Sequence, residues 1–319
     1  MQTIIAPIDK ALIQSELTPD KRLRSTNKSA NEIYIVSYHD SPHTLREIGR
    51  LREIAFRHYG GGTGLSCDLD EFDTMEGAYK QLIVWSPEEN EILGGYRFLC
   101  GSDVRYDRQG RPLLATAHLF NFSENFLQNY LPYTVELGRS FVSLDYQATL
   151  GKGIFILDNL WDGLGALPII DPSLKYFYGK VTMYNTYNTK ARDMILYFLK
   201  LHFPDKDNLV SPIYPLQTNT CEEKLKELFN SNDNKEDYKT LNQEVRKLGL
   251  NVPPLIHAYM SLSPKMRTFG TALNREFGNV EETGILIAIN EILEEKKKRH
   301  MESFLKDSLT DPLQIIKVS

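Results

Sequence analysis

The chain has 319 residues, 41% of them hydrophobic and 25% charged, with a formal net charge of -5. That balance describes a folded globular chain and excludes low-complexity, collagenous and disulfide-scaffold classes. The slightly acidic total also argues against a general nucleic-acid binder.

The length suits one elaborated α/β domain or about two average ones. Cys67, Cys100 and Cys221 form no C-x-x-C pair, so a reducing compartment and no zinc site are expected. The opening MQTIIAPIDKALIQSEL is broken by Pro7, Asp9 and Lys10 and lacks a signal-peptide pattern. No apolar run is expected to reach the ~20 residues that span a bilayer, so the expected location is cytoplasmic, with at most transient contact with the inner face of a membrane. Residues 1–30 read as a polar lead-in, with a short helix through Ile5, Ile8 and Leu12. Its basic cluster at Lys21, Arg22, Arg24 and Lys28 is either a solvated tail, the simpler reading, or a contact for anionic lipid. Residues 31–319 read as the folded domain.

In chain order, Ile33–Ser37 has strand composition. Ser41-Pro42, an N-cap followed by proline at the first helical position, opens a helix to about Tyr59. Leu45, Ile48, Leu51 and Ala55 give it one apolar face. The run Gly60-Gly61-Gly62-Thr63-Gly64 ends that helix and turns the chain into the acidic segment DLDEFD, Asp68–Asp73. Tyr79–Trp85 and Glu91–Cys100, separated by SPEENE, predict an antiparallel hairpin. In its second strand Leu93, Gly95, Arg97 and Leu99 share a face, so Arg97 needs a carboxylate or an anionic ligand.

Thr134–Val142, TVELGRSFV, predicts a strand with Glu136 and Arg139 on opposite faces. A bulge at Gly138 would bring both to one side. Asp145–Gly153 leads into a helix from about Ile154 to Leu164, and Gly151 and Gly153 lie where helix N-terminal N–H groups suit a phosphate. Lys175–Met183 predicts a strand and Thr189–Phe203 a helix with Ala191, Met194, Ile195, Phe198 and His202 on one face. Residues 220–250, EEKLKELF and KEDYKTLNQEVRKLGL, read as an inserted helical hairpin. Val252–Ser261 predicts a helix and Gly284–Asn290 a strand; a charged helix and tail follow.

The ordered series LREIAFRHYG, DLDEFD, GGYRFL, ELGRSFV, Leu160-Trp161 and, more weakly, VPPLIHAYM spans roughly residues 45–290. It resembles the hemolysin-like branch of the GNAT N-acyltransferases, which make ornithine and glycine lipids in bacteria, and is similar to acyl-homoserine lactone synthases. The resemblance implies an α/β, GNAT-like fold: a mixed, mostly antiparallel central sheet flanked by helices, with the inserted hairpin covering the acyl site. It implies transfer of a 3-hydroxyacyl chain from acyl carrier protein to an amino acid, glycine or ornithine. The phosphopantetheine thioester would be a donor substrate, with no permanently bound cofactor. The family's phosphate loop, Gln/Arg-x-x-Gly-x-Gly/Ala, finds its nearest fit in Gln147, Gly151, Lys152 and Gly153, one residue longer. That departure weakens a coenzyme A donor more than a carrier protein. Lys152, Lys175 and Lys180 are the cations near this site that an acidic carrier would meet.

N-acylation by a thioester needs a neutral amine, and Glu136 is the candidate base. Asp70 and Asp73 either hold the incoming ammonium or orient Arg97 and Arg139 by paired hydrogen bonds; the two arginines are alternatively anchors for the acceptor's carboxylate. The structural counterparts are a Glu136–Arg139 pair within the sheet, and solvated or capping aspartates. D-x-D-x-x-D lacks the glycine and distal glutamate of a calcium loop, so no metal is expected. Phe72, Tyr96, Phe98 and Trp161 line an acyl channel or fill the core. His257 reads as structural, and Tyr197 lacks the family's spacing for a general acid. The competing functions are an acyl-homoserine lactone-like synthase using S-adenosylmethionine, and a catalytically silent acyl- or lipid-binding module.

Overall fold

A computed structural model describes residues 1–147, 152–231 and 233–310. The strands are β1 (Arg22–Ser25), β2 (Glu32–Val36), β3 (Lys80–Ser86), β4 (Glu91–Cys100), β5 (Phe120–Phe122), β6 (Thr134–Val142), β7 (Tyr176–Met183), β8 (Val210–Pro212), β9 (Arg267–Asn274) and β10 (Val280–Ala288). The helices are α1 (Lys10–Glu16), α2 (Pro42–His58), α3 (Glu71–Thr74), α4 (Leu144–Gln147), α5 (Lys152–Ile170), α6 (Thr189–His202), α7 (Glu222–Leu228), α8 (Asn234–Lys247), α9 (Pro254–Leu262), α10 (Glu294–Lys297) and α11 (Ser303–Thr310).

Eight strands form one sheet in the order β1-β2-β3-β4-β6-β7-β10-β9. Every neighbouring pair is antiparallel except β6–β7. The expected α/β sheet is therefore present. The parallel ladder is short: Thr134, Val135 and Glu136 pair with Tyr176, Phe177 and Tyr178. Beyond it β6 continues to Val142 and β7 to Met183 without pairing to each other. The two strands splay. Gly179 sits at the neck, where a Cβ would meet the Leu137 carbonyl oxygen at 2.8 Å.

Side-chain alternation gives this sheet two different faces. Leu82, Val84, Phe98, Val135, Leu137, Phe177, Val181, Ile285 and Ile287 point to one face, where they join residues of α5, α6, α8 and α9 in the main core. On the other face two smaller apolar clusters form. One gathers Ile83, Trp85, Ile92 and Phe141 under Leu45, Ile48 and Phe56 of α2. The other gathers Tyr79, Leu99, Tyr178 and Leu286 under the loops that follow β4. The register places Gln81, Arg97, Glu136, Lys180 and Glu282 on that same face. A band of ionisable groups thus crosses the sheet between two apolar clusters.

Residues 1–30 are not a solvated tail. Leu23 and Arg24 are fully buried in β1, an edge strand of the sheet, and Ile13 of α1 packs under α2. Lys21 Nζ donates to the carbonyl oxygens of Glu16 and Asp40, Arg22 pairs with Glu32, and Arg24 lies over the Phe304 ring. Those three residues are tied into the fold, and Lys28 is exposed with its Nζ over the Phe155 ring. The C-terminal basic stretch is tied likewise: Lys297 Nζ donates to the Asn290 carbonyl oxygen at 2.8 Å, and Arg299 is ion-paired with Asp158.

Two further expectations need correction. Ser41 makes no side-chain cap on α2; the Glu16 carboxylate accepts from the backbone N–H groups of His43 and Thr44 at 3.0 and 2.7 Å. A charged acceptor at the positive helix end does the same work from another element. The helix after β6 also runs on to Ile170, and its span Gly153–Ile170 has a mean hydropathy of 1.3, enough by length and composition to cross a bilayer. Ile156, Leu160, Leu164 and Leu167 are at most 3% exposed, so its apolarity serves the core. The inserted hairpin forms as α7 and α8, packs Leu225, Phe229, Leu241 and Val245 into the main core, and borders a cavity of about 440 Å³ beside α6 and β9. Phe72, Tyr96, Phe98 and Trp161 are packing residues: Phe98 and Tyr96 are core, Trp161 abuts Phe177 and Tyr259, and Phe72 abuts Tyr79.

Candidate active site at the strand splay

The acidic segment is held by a capping box. Asp70 Oδ1 accepts from the Asp73 N–H at 3.2 Å, and Asp73 Oδ2 accepts from the Asp70 N–H at 3.1 Å. The capping and the arginine-orienting readings are therefore both realised. Asp73, fully buried, accepts from Arg52 Nη2 at 2.8 Å and Gln81 Nε2 at 2.9 Å, and lies 3.3 Å from Arg97 Nη1. Burial alone would raise its pKa; Arg52 and Arg97 outweigh that and hold it well below the carboxylate range. Arg97 also donates to Asp70 at 2.6 Å and lies over the Tyr79 ring at 5.1 Å. Its Nη1 is held by the two aspartates, which answers the need for a carboxylate, while its buried Nε has no hydrogen-bond partner. Arg52, on the buried face of α2, was not singled out by the sequence; its i, i+4 relation to the apolar residue Ile48 was the available signal.

The bulge exists, displaced by one residue. Arg97 pairs with Gly138 and Gly95 with Phe141, so Arg139 and Ser140 together oppose Tyr96. The left-handed residue is Arg139, with φ of 48°, rather than Gly138. A non-glycine residue there costs of order 1–3 kcal/mol and persists where surrounding contacts hold it. Those contacts are Asp68 Oδ2 at 3.2 Å from Nε and Asp70 Oδ2 at 3.6 Å from Nη2, with the guanidinium 4.2 Å from the centre of the Phe277 ring. Arg139 Nε lies within ion-pair distance of Asp68 without hydrogen-bond geometry. Charge holds the guanidinium in place while donors stay available. A Cβ at Gly138 would have no heavy atom within 4 Å, so the sheet face beside Arg139 is open.

Glu136 and Arg139 do not pair with each other. Glu136 is 2% exposed; one oxygen accepts from the Tyr79 hydroxyl, and the other from the Thr116 N–H and hydroxyl at 3.1 and 2.7 Å. Burial pushes its pKa up, against the lowering effect of Tyr79, Thr116 and Arg97. With both oxygens engaged, Glu136 is placed to tie down the chain at Thr116 rather than to meet an amine. Across the splay, Lys180 of β7 pairs with Glu282, which also accepts from Thr182 and Asn274. Burial lowers the Lys180 pKa, Glu282 opposes the shift, and the nearby charge of Arg139 adds to it. Lys180 and Arg139 thus lie on the two diverging strands, each beyond the paired segment. Tyr79, Thr116 and Glu282 escaped the sequence reading because they lie outside its motifs.

The expected phosphate site follows β6 at the open end of the splay, where α5 begins at Lys152. Gly151 lies outside the described residues. Gln147 is engaged within the chain: its amide donates to the Val142 carbonyl at 2.6 Å and accepts from the Tyr59 hydroxyl. Gly153 has ordinary 3.6 Å clearance for a Cβ, so packing does not demand glycine there. Among the described residues, no group of three or more His, Cys, Asp or Glu side chains is arranged to hold a metal ion. His257 accepts or donates a hydrogen bond with the Tyr238 hydroxyl at 2.8 Å on the far helical layer.

The acetyltransferase (GNAT) domain family matches residues 51–154, from within α2 to the start of α5. The glycine N(alpha)-acyltransferase of Phocaeicola vulgatus is 64% identical over 308 residues, covering 96% of this chain and 94% of its own. That of Bacteroides thetaiotaomicron is 61% identical over 319 residues, covering 98% and 95%. The crystal structure of the AHL synthase LasI superposes on 54% of this chain and 79% of its own, at 12% identity and a TM-score of 0.30. Near-full-length identity above 60% with two such enzymes bears out the resemblance seen in the motifs: the chain belongs to this family of GNAT-fold N-acyltransferases.

Proposed function

We propose that the protein transfers a long (3-hydroxy)acyl chain from the phosphopantetheine thioester of acyl carrier protein to the amino group of glycine, giving an N-acylglycine for amino-lipid synthesis. The observation that carries the reading is the opening of the β6–β7 ladder after Glu136 and Tyr178, directly beside the ionisable band. Two parallel strands that diverge leave backbone N–H and C=O groups without partners, and an extended amide-containing arm can supply them. The phosphopantetheine arm is such a chain, and its thioester would lie in the splay. The glycine acceptor is supported by the names of the two close relatives. A carrier-protein donor is supported by the lengthened loop after Gln147.

Arg139 and Lys180 border the open face from the two strands and are the cations suited to the acceptor's carboxylate. Backbone N–H groups at the bulge suit the oxyanion that develops on the thioester carbonyl. Glu136 and Tyr79 act at one remove by fixing the chain at Ala115 and Thr116. The test is free-thiol release from 3-hydroxypalmitoyl carrier protein and, separately, from 3-hydroxypalmitoyl coenzyme A, with each amino acid in turn. Release from the carrier thioester that depends on glycine supports the proposal. Release dependent on ornithine, preference for coenzyme A, or no release removes the acceptor, the donor or the activity respectively.

A further inference from the structure

His118 belongs to none of the sequence motifs, and the network described above converges on the loop that carries it. Residues 113–119 cross the charged face of the sheet. The Ala115 N–H donates to the Tyr79 hydroxyl oxygen at 2.8 Å, and Thr116 donates twice to Glu136. A turn then closes as the Leu119 and Phe120 N–H groups donate to the Thr116 carbonyl at 3.0 and 3.1 Å, and the Leu119 carbonyl accepts from Ile213 at 2.9 Å. The loop is thus pinned on both sides of one residue. His118 is exposed there while its neighbours Leu119 and Phe120 are buried.

The charged groups that act on the His118 ring are Lys180 of β7, Glu282 of β10 and Glu276 in the turn after β9; two residues on, the Phe120 ring lies 3.3 Å from the Cβ position of Gly284, the residue paired with Lys180. Lys180 is the residue of β7 just past the neck of the splay. The loop that carries the imidazole therefore crosses the sheet beside Lys180, one of the two cations proposed to hold the acceptor. A neutral imidazole keeps one ring nitrogen as an acceptor. Neither oxygen of Glu136 is free to fill that role.

We propose that His118 is the general base of the transfer, taking the proton of the acceptor's ammonium at the mouth of the β6–β7 splay. The inference rests on the thioester-to-amine reading given above. In the step, His118 removes one proton from the ammonium, and the nitrogen lone pair attacks the thioester carbonyl carbon. The C–S bond breaks as the tetrahedral intermediate collapses. The thiolate takes a second proton from the nitrogen, leaving an amide and a free thiol, and the imidazolium returns its proton to solvent. Partial burial of the ring against its own loop, and then the charge of Lys180, lower the His118 pKa from the ordinary imidazole value, so the ring is neutral and ready to accept near pH 7.

The experiment measures glycine-dependent thiol release from 3-hydroxypalmitoyl carrier protein for wild type, His118→Gln and His118→Gly, from about pH 5.5 to 9. The expected result is a kcat lower by roughly 10²–10⁴-fold in His118→Gln, loss of the acid limb of the kcat profile, and little change in KM for glycine. Added imidazole should partly restore His118→Gly. Because His118 makes no core packing and its loop is pinned by backbone hydrogen bonds at Ala115, Thr116 and Leu119, both variants should melt with the wild type. An unchanged kcat and acid limb in His118→Gln, or a loss confined to KM, overturns the role of His118 and leaves the activity standing. A wild-type protein that releases no thiol with glycine overturns the functional reading and this inference with it.

Discussion

Replacing Asp73 by asparagine tests whether the buried arginines depend on that carboxylate. Asp73 is fully buried and accepts from Arg52, Gln81 and the Asp70 N–H, with Arg97 at 3.3 Å. An amide has one acceptor oxygen where the carboxylate has two, so its NH2 group would face donors. Arg52 and Arg97, 0% and 3% exposed, would be short of counter-charge. Breaking a buried ion pair from one side costs about 3–5 kcal/mol. With ~2 cal/mol/K of unfolding entropy per residue, the whole chain corresponds to about 0.7 kcal/mol per degree, so Tm should fall by about 4–8 °C. Scanning calorimetry at neutral pH measures it. The sign of the pH dependence follows from the depressed folded-state pKa. The stabilisation is complete above the unfolded aspartate value of about 4 and is lost as pH falls from there towards the folded value. Wild type and Asp73→Asn should therefore converge in acid. A Tm difference under about 2 °C at neutral pH, or one that stays constant down to about pH 2, refutes the assignment.

Arg139→Gln should raise KM for glycine by roughly 10–100-fold, the worth of a charge-assisted hydrogen bond, with a smaller change in kcat; a fall in kcat at constant KM would instead place Arg139 in the transition state. Gly138→Val should leave Tm within about 2 °C of wild type, because the position is open, yet weaken glycine in steady-state kinetics; unchanged kinetics would show that the open face is unused. Glu136→Gln would aim an amide N–H at a Tyr79 oxygen that already accepts from Ala115. It should cost about 1–3 kcal/mol of stability and lower activity while the acid limb of the pH profile persists. Disappearance of that limb in Glu136→Gln, measured by the same thiol assay, would return the base role to Glu136.

Much of the frame was legible because it is encoded locally. Strand composition between turn residues placed β2, β3, β4, β6 and β7, and an apolar helical face placed α2, with Pro42 at its start, and α6. The lone apolar-faced cation Arg97 signalled its need for acid partners, and Asp70 and Asp73 proved to be those partners. β1 and β9 were not legible. R-L-R-S reads as polar, and it is strand only because Asn27 and Ser303 satisfy Arg24 and β2 supplies a ladder.

By itself, then, the sequence determined which segments become strands and helices, that an acid-base series would meet on one sheet, and the family to which the order of those segments belongs. Tertiary structure alone decided which residue takes the bulge, which oxygens of Glu136 are already bonded, that Glu16 caps α2 across 27 positions in sequence, and that Lys180 and Glu282 pair beside the splay. The division has a physical cause. Strand and helix preferences act over a few neighbouring residues, whereas hydrogen-bond satisfaction and charge pairing in a buried band are settled by whatever distant side chains the closed sheet brings within about 3 Å.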